Sequence, residues 1–150
     1  MVVCTALIAT LALLRPGEKP SGLEIVDITI KDPKPSFLND RFITINSGES
    51  VTLNVTVQNN GDEIMRGDAY MVGIEVITSA GNAYWQLPSE QVIGIDLGPG
   101  GKSRHTFTVI NKKELPFRGQ CEFQAYIKVV KTGEVIARSD IVTIEIRYPA

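Results

Sequence analysis

The stretch Ser47 to Glu63 reads SGESVTLNVTVQNNGDE, and its alternation decides the fold class. Val51, Leu53, Val55 and Val57 share one parity, while Ser50, Thr52, Asn54, Thr56 and Gln58 share the other. Successive strand side chains point to opposite faces, so the pattern is a half-buried strand of about seven or eight residues. NNGDE follows it, and Asn-Gly tolerates positive φ, which predicts a turn at Asn60-Gly61. The stretch therefore reads as scaffold.

The same period recurs outward along the chain. Inward rows are Val26, Ile28 and Ile30; Tyr70, Val72, Ile74 and Val76; Phe107 and Val109; Phe123, Ala125, Ile127 and Val129; and Val142, Ile144, Ile146 and Tyr148. Turn signals separate them: DPKP at Asp32 to Pro35, SAGN at Ser79 to Asn82, LGPGG at Leu97 to Gly101 and KTGE at Lys131 to Glu134. After the first residues of the chain, helical spacing is absent and no βαβ alternation occurs. The expected fold is all-β, an antiparallel sandwich of about seven or eight strands. Ile141 falls on the outward parity of its row, and a bulge near Ser139 would restore the phase.

A chain of 150 residues buries roughly 70% of its unfolded surface in one domain, so a single core needs no metal or disulfide. The net charge of −2 and pI near 5.4 supply no basic field for phosphates, which excludes nucleic acid as an expected partner. Cys4 lies in an apolar leader and Cys121 deep in the domain, so two unbridged thiols are expected.

The leader MVVCTALIATLALL, Met1 to Leu14, carries no charge, Gly or Pro, and RPGEKPSG ends it. The expected organisation is a leader over 1–14, a linker over 15–22 and a sandwich domain over 23–150. As a helix the leader reaches about 21 Å, short of a hydrocarbon core of about 30 Å. It has the size of a signal-peptide h-region, yet no Lys or Arg precedes it, and Ala9 and Ala12 do not form an A-x-A site. Three readings stay open: an export or anchor segment, an element packed on the domain or a neighbouring subunit, and a disordered tail. Val3, Leu7, Ile8, Leu11 and Leu14 are the candidate anchor or interface residues.

Candidate chemistry is sparse. His105 is the sole histidine, and with two distant cysteines it makes no zinc spacing; Cys121 points inward by parity, where thiols are inert packing. There is no G-x-S-x-G elbow, phosphate-binding glycine loop or dinucleotide fingerprint. The chain is expected to be no enzyme and to use no cofactor. Asp62, Glu63 and Asp68 gather carboxylates in one loop, which suits Ca²⁺, but the spacing matches no defined calcium loop and a solvated acidic loop is the plainer reading. Arg66-Gly67-Asp68 is a cell-adhesion tripeptide in animal systems, and such a triplet also arises by chance. Of Tyr84 and Trp85, Trp85 is expected in the core and Tyr84 outside. Asn54-Val55-Thr56 is an N-glycosylation sequon on the outward face, open to modification if the chain passes a glycosylating export pathway.

Gly48 to Gly61, GESVTLNVTVQNNG, resembles the G-(E/D)-x-V-x-(L/V)-x-V-x-V-x-N-x-G strand of immunoglobulin-like modules in prokaryotic surface proteins, including the CARDB type. Leu97 to Val109, LGPGGKSRHTFTV, is similar to the L-x-P-G-x-S-x-x-x-F-x-V stretch that follows in those modules. The resemblance covers the middle of a domain from about Leu23 to Tyr148 and carries no catalytic residue. It implies an immunoglobulin-like sandwich, extracytoplasmic and at the cell surface or membrane-anchored, used for adhesion, spacing or assembly. Its partner would be an envelope protein or its own copies, with membrane contact through residues 1–14. The chain departs from the family in the insert DPKPSFLNDRFITIN and in its leader. The alternative is a subunit of a surface filament or an archaellum-stator-like assembly that uses the apolar N-terminus as its interface, including by donation of a strand to a neighbour.

Overall fold

In the computed structural model, residues 22–78, 81–112 and 119–147 are described. The period-two segments become strands because one row of each can be buried between two sheets. They are β1 (Leu23–Asp32), β2 (Phe42–Asn46), β3 (Ser50–Asn59), β4 (Tyr70–Val76), β5 (Trp85–Gln86), β6 (Gln91–Val92), β7 (Lys102–Asn111), β8 (Gly119–Val129), β9 (Val135–Arg138) and β10 (Val142–Arg147). A single 3₁₀ turn, Gly81–Tyr84, precedes β5. The leader, with Val3, Leu7, Ile8, Leu11 and Leu14, lies outside the described residues, as does Tyr148. No described helix is long and apolar enough to cross a membrane.

One sheet runs β1-β3-β7-β5, and the other runs β2-β10-β8-β4-β6, with β9 also on β8. Their inner rows form one core, whose largest members are Phe107, Phe123, Ile28, Leu53 and Ile127. Burying each such side chain contributes about 2 kcal/mol. Trp85 packs edge-on against Phe123, with ring centroids 4.8 Å apart and planes at 86°. Alternation in the Ser47 to Glu63 stretch is borne out: Val51, Leu53, Val55 and Val57 are fully buried in β3.

The sandwich is not wholly antiparallel, because β2 pairs with β10 in parallel, Phe42 beside Thr143 and Asn46 beside Arg147. After β1 ends, residues 33–41 carry the chain across to the other sheet, where it enters β2 heading the same way as β10. Part of the stretch read as an insert is thus a strand that leaves its first sheet for the second. The row Val26, Ile28, Ile30 also needs correction. A bulge between Ile25 and Asp27 shifts the phase, so Ile25 packs on the core and Val26 is exposed.

The irregularity expected near Ser139 is present. Register on β8 slips by one residue between Arg138↔Tyr126 and Val142↔Phe123. Ser139 fills the gap: its N–H donates to Ala125 O, and its Oγ accepts from Ala125 N, both at 2.9 Å. Beyond it Val142, Ile144 and Ile146 are buried again, while Ile141 stays exposed.

The Asn-Gly turn forms for a different reason than expected. Gly61 does not have a positive φ. Close approach of two backbones favours glycine instead: a Cβ on Gly61 would lie 3.1 Å from Gly22 Cα, and one on Gly22 only 2.5 Å from Gly61 N. The anchoring side chain is Asn59, fully buried, whose Nδ2 donates to Glu63 O and Leu97 O at 2.7 Å each, and whose Oδ1 accepts from Gly61 N at 2.9 Å.

Candidate functional site

The outward row of β8 presents Gln124, Tyr126 and Lys128 beside the outward Gly73 and Glu75 of β4. Gly73 is opposite Tyr126, and its lack of a side chain lets the phenol ring lie across β4; a Cβ there would collide with the ring. Tyr126 thereby reaches Glu90, on the connection between β5 and β6, and donates its hydroxyl proton to Glu90 Oε2. Lys128 Nζ meets the same oxygen at 2.9 Å. On the other flank Arg138 Nε donates to Glu75 Oε2 at 2.9 Å. Leu87, Val76 and Val135 complete the wall of an open depression of about 410 Å³.

Electrostatics lock these groups in their ordinary protonation states. The Tyr126 hydroxyl, and after it the Lys128 ammonium, holds the Glu90 carboxyl below the usual range. Burial, then the bond to Glu90, pushes the Tyr126 phenol up. The cluster is thus an anion shared by two donors, fixed at neutral pH. It offers a polar ligand or a partner surface carboxylate oxygens beside an ammonium, and it holds no poised base. Sequence reading missed it: outward parity could have marked Gln124, Tyr126 and Lys128 as one row, but Glu90 joins them only through the fold.

The residues singled out from the sequence are dispersed. His105 is buried on the inner row of β7, with Nε2 2.9 Å from Ser103 Oγ and Nδ1 3.3 Å from Gln91 Oε1. Burial lowers its pKa, so the imidazole is neutral. Burial also pushes the Cys121 thiol up, with the Trp85 indole pulling more weakly the other way. Trp85 is core as expected, whereas Tyr84 is half-buried against the core rather than outside it.

Asp62, Glu63 and Asp68 are exposed, and Asp68 pairs with Arg66 at 3.4 Å. Among the described residues no group of three or more His, Cys, Asp or Glu could hold a metal ion. The Arg66-Gly67-Asp68 tripeptide is tied back to the neighbouring loop: Gly67 is buried, its N–H donates to Asp96 Oδ1 at 2.9 Å, and its carbonyl accepts from Gly94 N at 3.0 Å. Asn54 sits half-exposed in mid-strand, its Oδ1 accepting from Thr106 Oγ1 at 3.0 Å.

No protein-family model matches the chain, and no curated protein matches it. Solved structures do. The C-terminal domain of wzt is 14% identical, with 91% of this chain and 81% of that one covered and a TM-score of 0.57. A Niemann-Pick type C2 protein from Japanese carpenter ant is 11% identical, covering 86% and 96%, at 0.54. The CARDB domain of PF1109 from Pyrococcus furiosus is 16% identical, covering 86% and 97%, at 0.50. At these identities the likeness is one of fold. The resemblance drawn from GESVTLNVTVQNNG and LGPGGKSRHTFTV is borne out at that level: this chain has the immunoglobulin-like sandwich fold shared by the CARDB domain of PF1109.

Proposed function

We propose that this protein is a non-enzymatic, extracytoplasmic immunoglobulin-like module that binds other proteins at the cell envelope, in adhesion, spacing or assembly. The observation that carries the non-enzymatic part is the fixed protonation of its reactive side chains. Glu90 is held ionised by Tyr126 and Lys128, Tyr126 is held protonated, His105 is a buried neutral imidazole and Cys121 a buried thiol. Proton transfer and nucleophilic attack need a group poised near the working pH and open to substrate. The Glu90, Tyr126 and Cys121 pKa values are pushed away from it, and the buried His105 ring has both nitrogens engaged by Ser103 and Gln91. The envelope setting draws support from the apolar leader and from the likeness to prokaryotic surface modules.

The test is fractionation of the native cell with an antibody to the sandwich, joined to light scattering of the full chain and of a form starting at Ser21. Recovery in the envelope fraction is the expected result; recovery in the cytosol overturns the setting. A monomeric short form beside a long form that demands detergent identifies the leader as an anchor. Defined oligomers of the long form alone identify it as an assembly interface.

A further inference from the structure

Strand β7 is paired along its whole length on one side only. Towards β3 the ladder runs from Ser50↔Ile110 to Gln58↔Lys102. On its other side only β5 pairs with it, at Asn111 and Ile110. Antiparallel residues direct their N–H and C=O groups to alternate sides. Asn111 N donates to Glu49 O on the β3 side, while Lys112 N donates to Tyr84 O on the β5 side. The even-numbered residues therefore face away from β3. Of those past β5, Thr106 O accepts from Gln91 Nε2 at 2.8 Å. The N–H and C=O of Arg104 and Thr108, and the N–H of Thr106, have no hydrogen-bond partner among the described residues.

An open stretch from Lys102 to Thr108 has room for a strand of about five residues. It is open because the chain leaves β7 after Gln86 and crosses to the other sheet, where Gln91 pairs with Val72. Gln91 reaches back, donating one hydrogen bond to the edge where an incoming strand would donate its own.

Charge selects the occupant. Lys102 and Arg104 are exposed on the outer face and make no ion pair among the described residues. The adjacent outward row of β3, Thr52, Asn54, Thr56 and Gln58, is uncharged. Opposite charges across a strand pair attract, so carboxylates on the incoming strand fit. A second copy does not fit. Its own Lys102 to Thr108 edge carries two cations and no carboxylate, so paired copies would gather four cations along one ladder with no anion to meet them. The β1 edge is also closed: Arg41 Nε donates to Ile28 O at 3.1 Å, Ile30 N donates to Asp40 O at 2.8 Å, and a bulge distorts the rest.

We propose that the open side of β7, Lys102 to Thr108, is a strand-addition site for an extended segment of another protein bearing carboxylates at alternate positions, with the Gln91 side chain as placeholder. This deepens the binding-module reading and rests on it.

Amide hydrogen exchange of the full chain, read by NMR, tests it first without ligand. Arg104 and Thr108 amides should exchange far faster than those of His105 and Phe107, which face β3. Protection of Arg104 and Thr108 in the isolated chain would mean that its own residues cover the edge and would overturn the proposal. The probe is then a capped octapeptide, Thr-Glu-Val-Glu-Val-Glu-Val-Thr, beside a version with Lys for Glu and one N-methylated at alternate residues. The acidic peptide should slow exchange at Arg104 and Thr108 and bind about tenfold tighter than the Lys peptide. That preference should vanish in the double variant Lys102→Glu, Arg104→Glu, which leaves the core untouched, and Gln91→Ala should bind more tightly. Failure of the acidic peptide to protect these amides at millimolar concentration, or equal binding of the N-methylated peptide, refutes strand addition. Recovery of the native protein from the cytosol would remove the envelope setting and leave this result standing.

Discussion

Asn59 Nδ2 donates to Leu97 O at 2.7 Å, joining the end of β3 to the loop that leads into β7, 38 residues away. The backbone repeats the link, since Asn59 N donates to Gly101 O at 2.9 Å and Gly100 N donates to Asn59 O at 2.7 Å. Asn59 is thus the clasp between the two stretches whose sequences resemble surface modules, and the motif Asn is needed for its amide rather than for turn conformation.

Asn59→Ala should lower stability by about 2–3 kcal/mol, because it leaves Glu63 O and Gly61 N without the buried amide that satisfies them. A shift of the urea midpoint at constant slope checks this; a midpoint within error of the parent would show that water substitutes for the clasp.

Ser139→Ala should cost about 1–3 kcal/mol, since Ala125 N then loses its buried acceptor at the one-residue slip on β8. The Ala125 amide should exchange faster in the variant, and Ser139→Thr, which keeps the oxygen, should restore its protection.

Gly73→Ala should displace the Tyr126 ring and break its bond to Glu90, at a cost of about 1–3 kcal/mol from overpacking. The combination with Tyr126→Ala should recover part of that loss, which a thermal melt of the four members of the cycle would read.

Stability should fall on the acid side of neutrality because of His105. Its folded pKa lies below the unfolded value of about 6.5, so the unfolded chain takes up the proton first. The contribution is complete above about pH 6.5 and declines below it until the folded imidazole also protonates. His105→Gln should flatten that decline between pH 7 and 5.

Tyr126 and Glu90 set the outer limits. A raised phenol pKa gives stability that is present below about pH 10 and lost as pH rises through the folded value; a lowered carboxyl pKa gives stability present above about pH 4.3 and lost as pH falls through the folded value. Tyr126→Phe should remove the alkaline limb and shorten the acid one, because the hydroxyl is the main cause of the Glu90 shift.

The sequence by itself determined the longer strands and, apart from the slipped row of β1, their buried faces. Side chains alternate with period two, and a row such as Val51, Leu53, Val55 and Val57 has only one way to leave water. The slip near Ser139 was legible for the same reason, as a break in parity at Ile141. Tertiary structure alone decided which strands pair. Parity is silent on neighbours, so the sheet switch into β2, the parallel ladder with β10 and the open side of β7 could not be read along the chain. The polar clusters belong to the same class: Tyr126 meets Glu90 across 36 residues, and Asn59 meets Leu97 across 38, because hydrogen bonds act over a few ångströms of space whatever the separation in sequence.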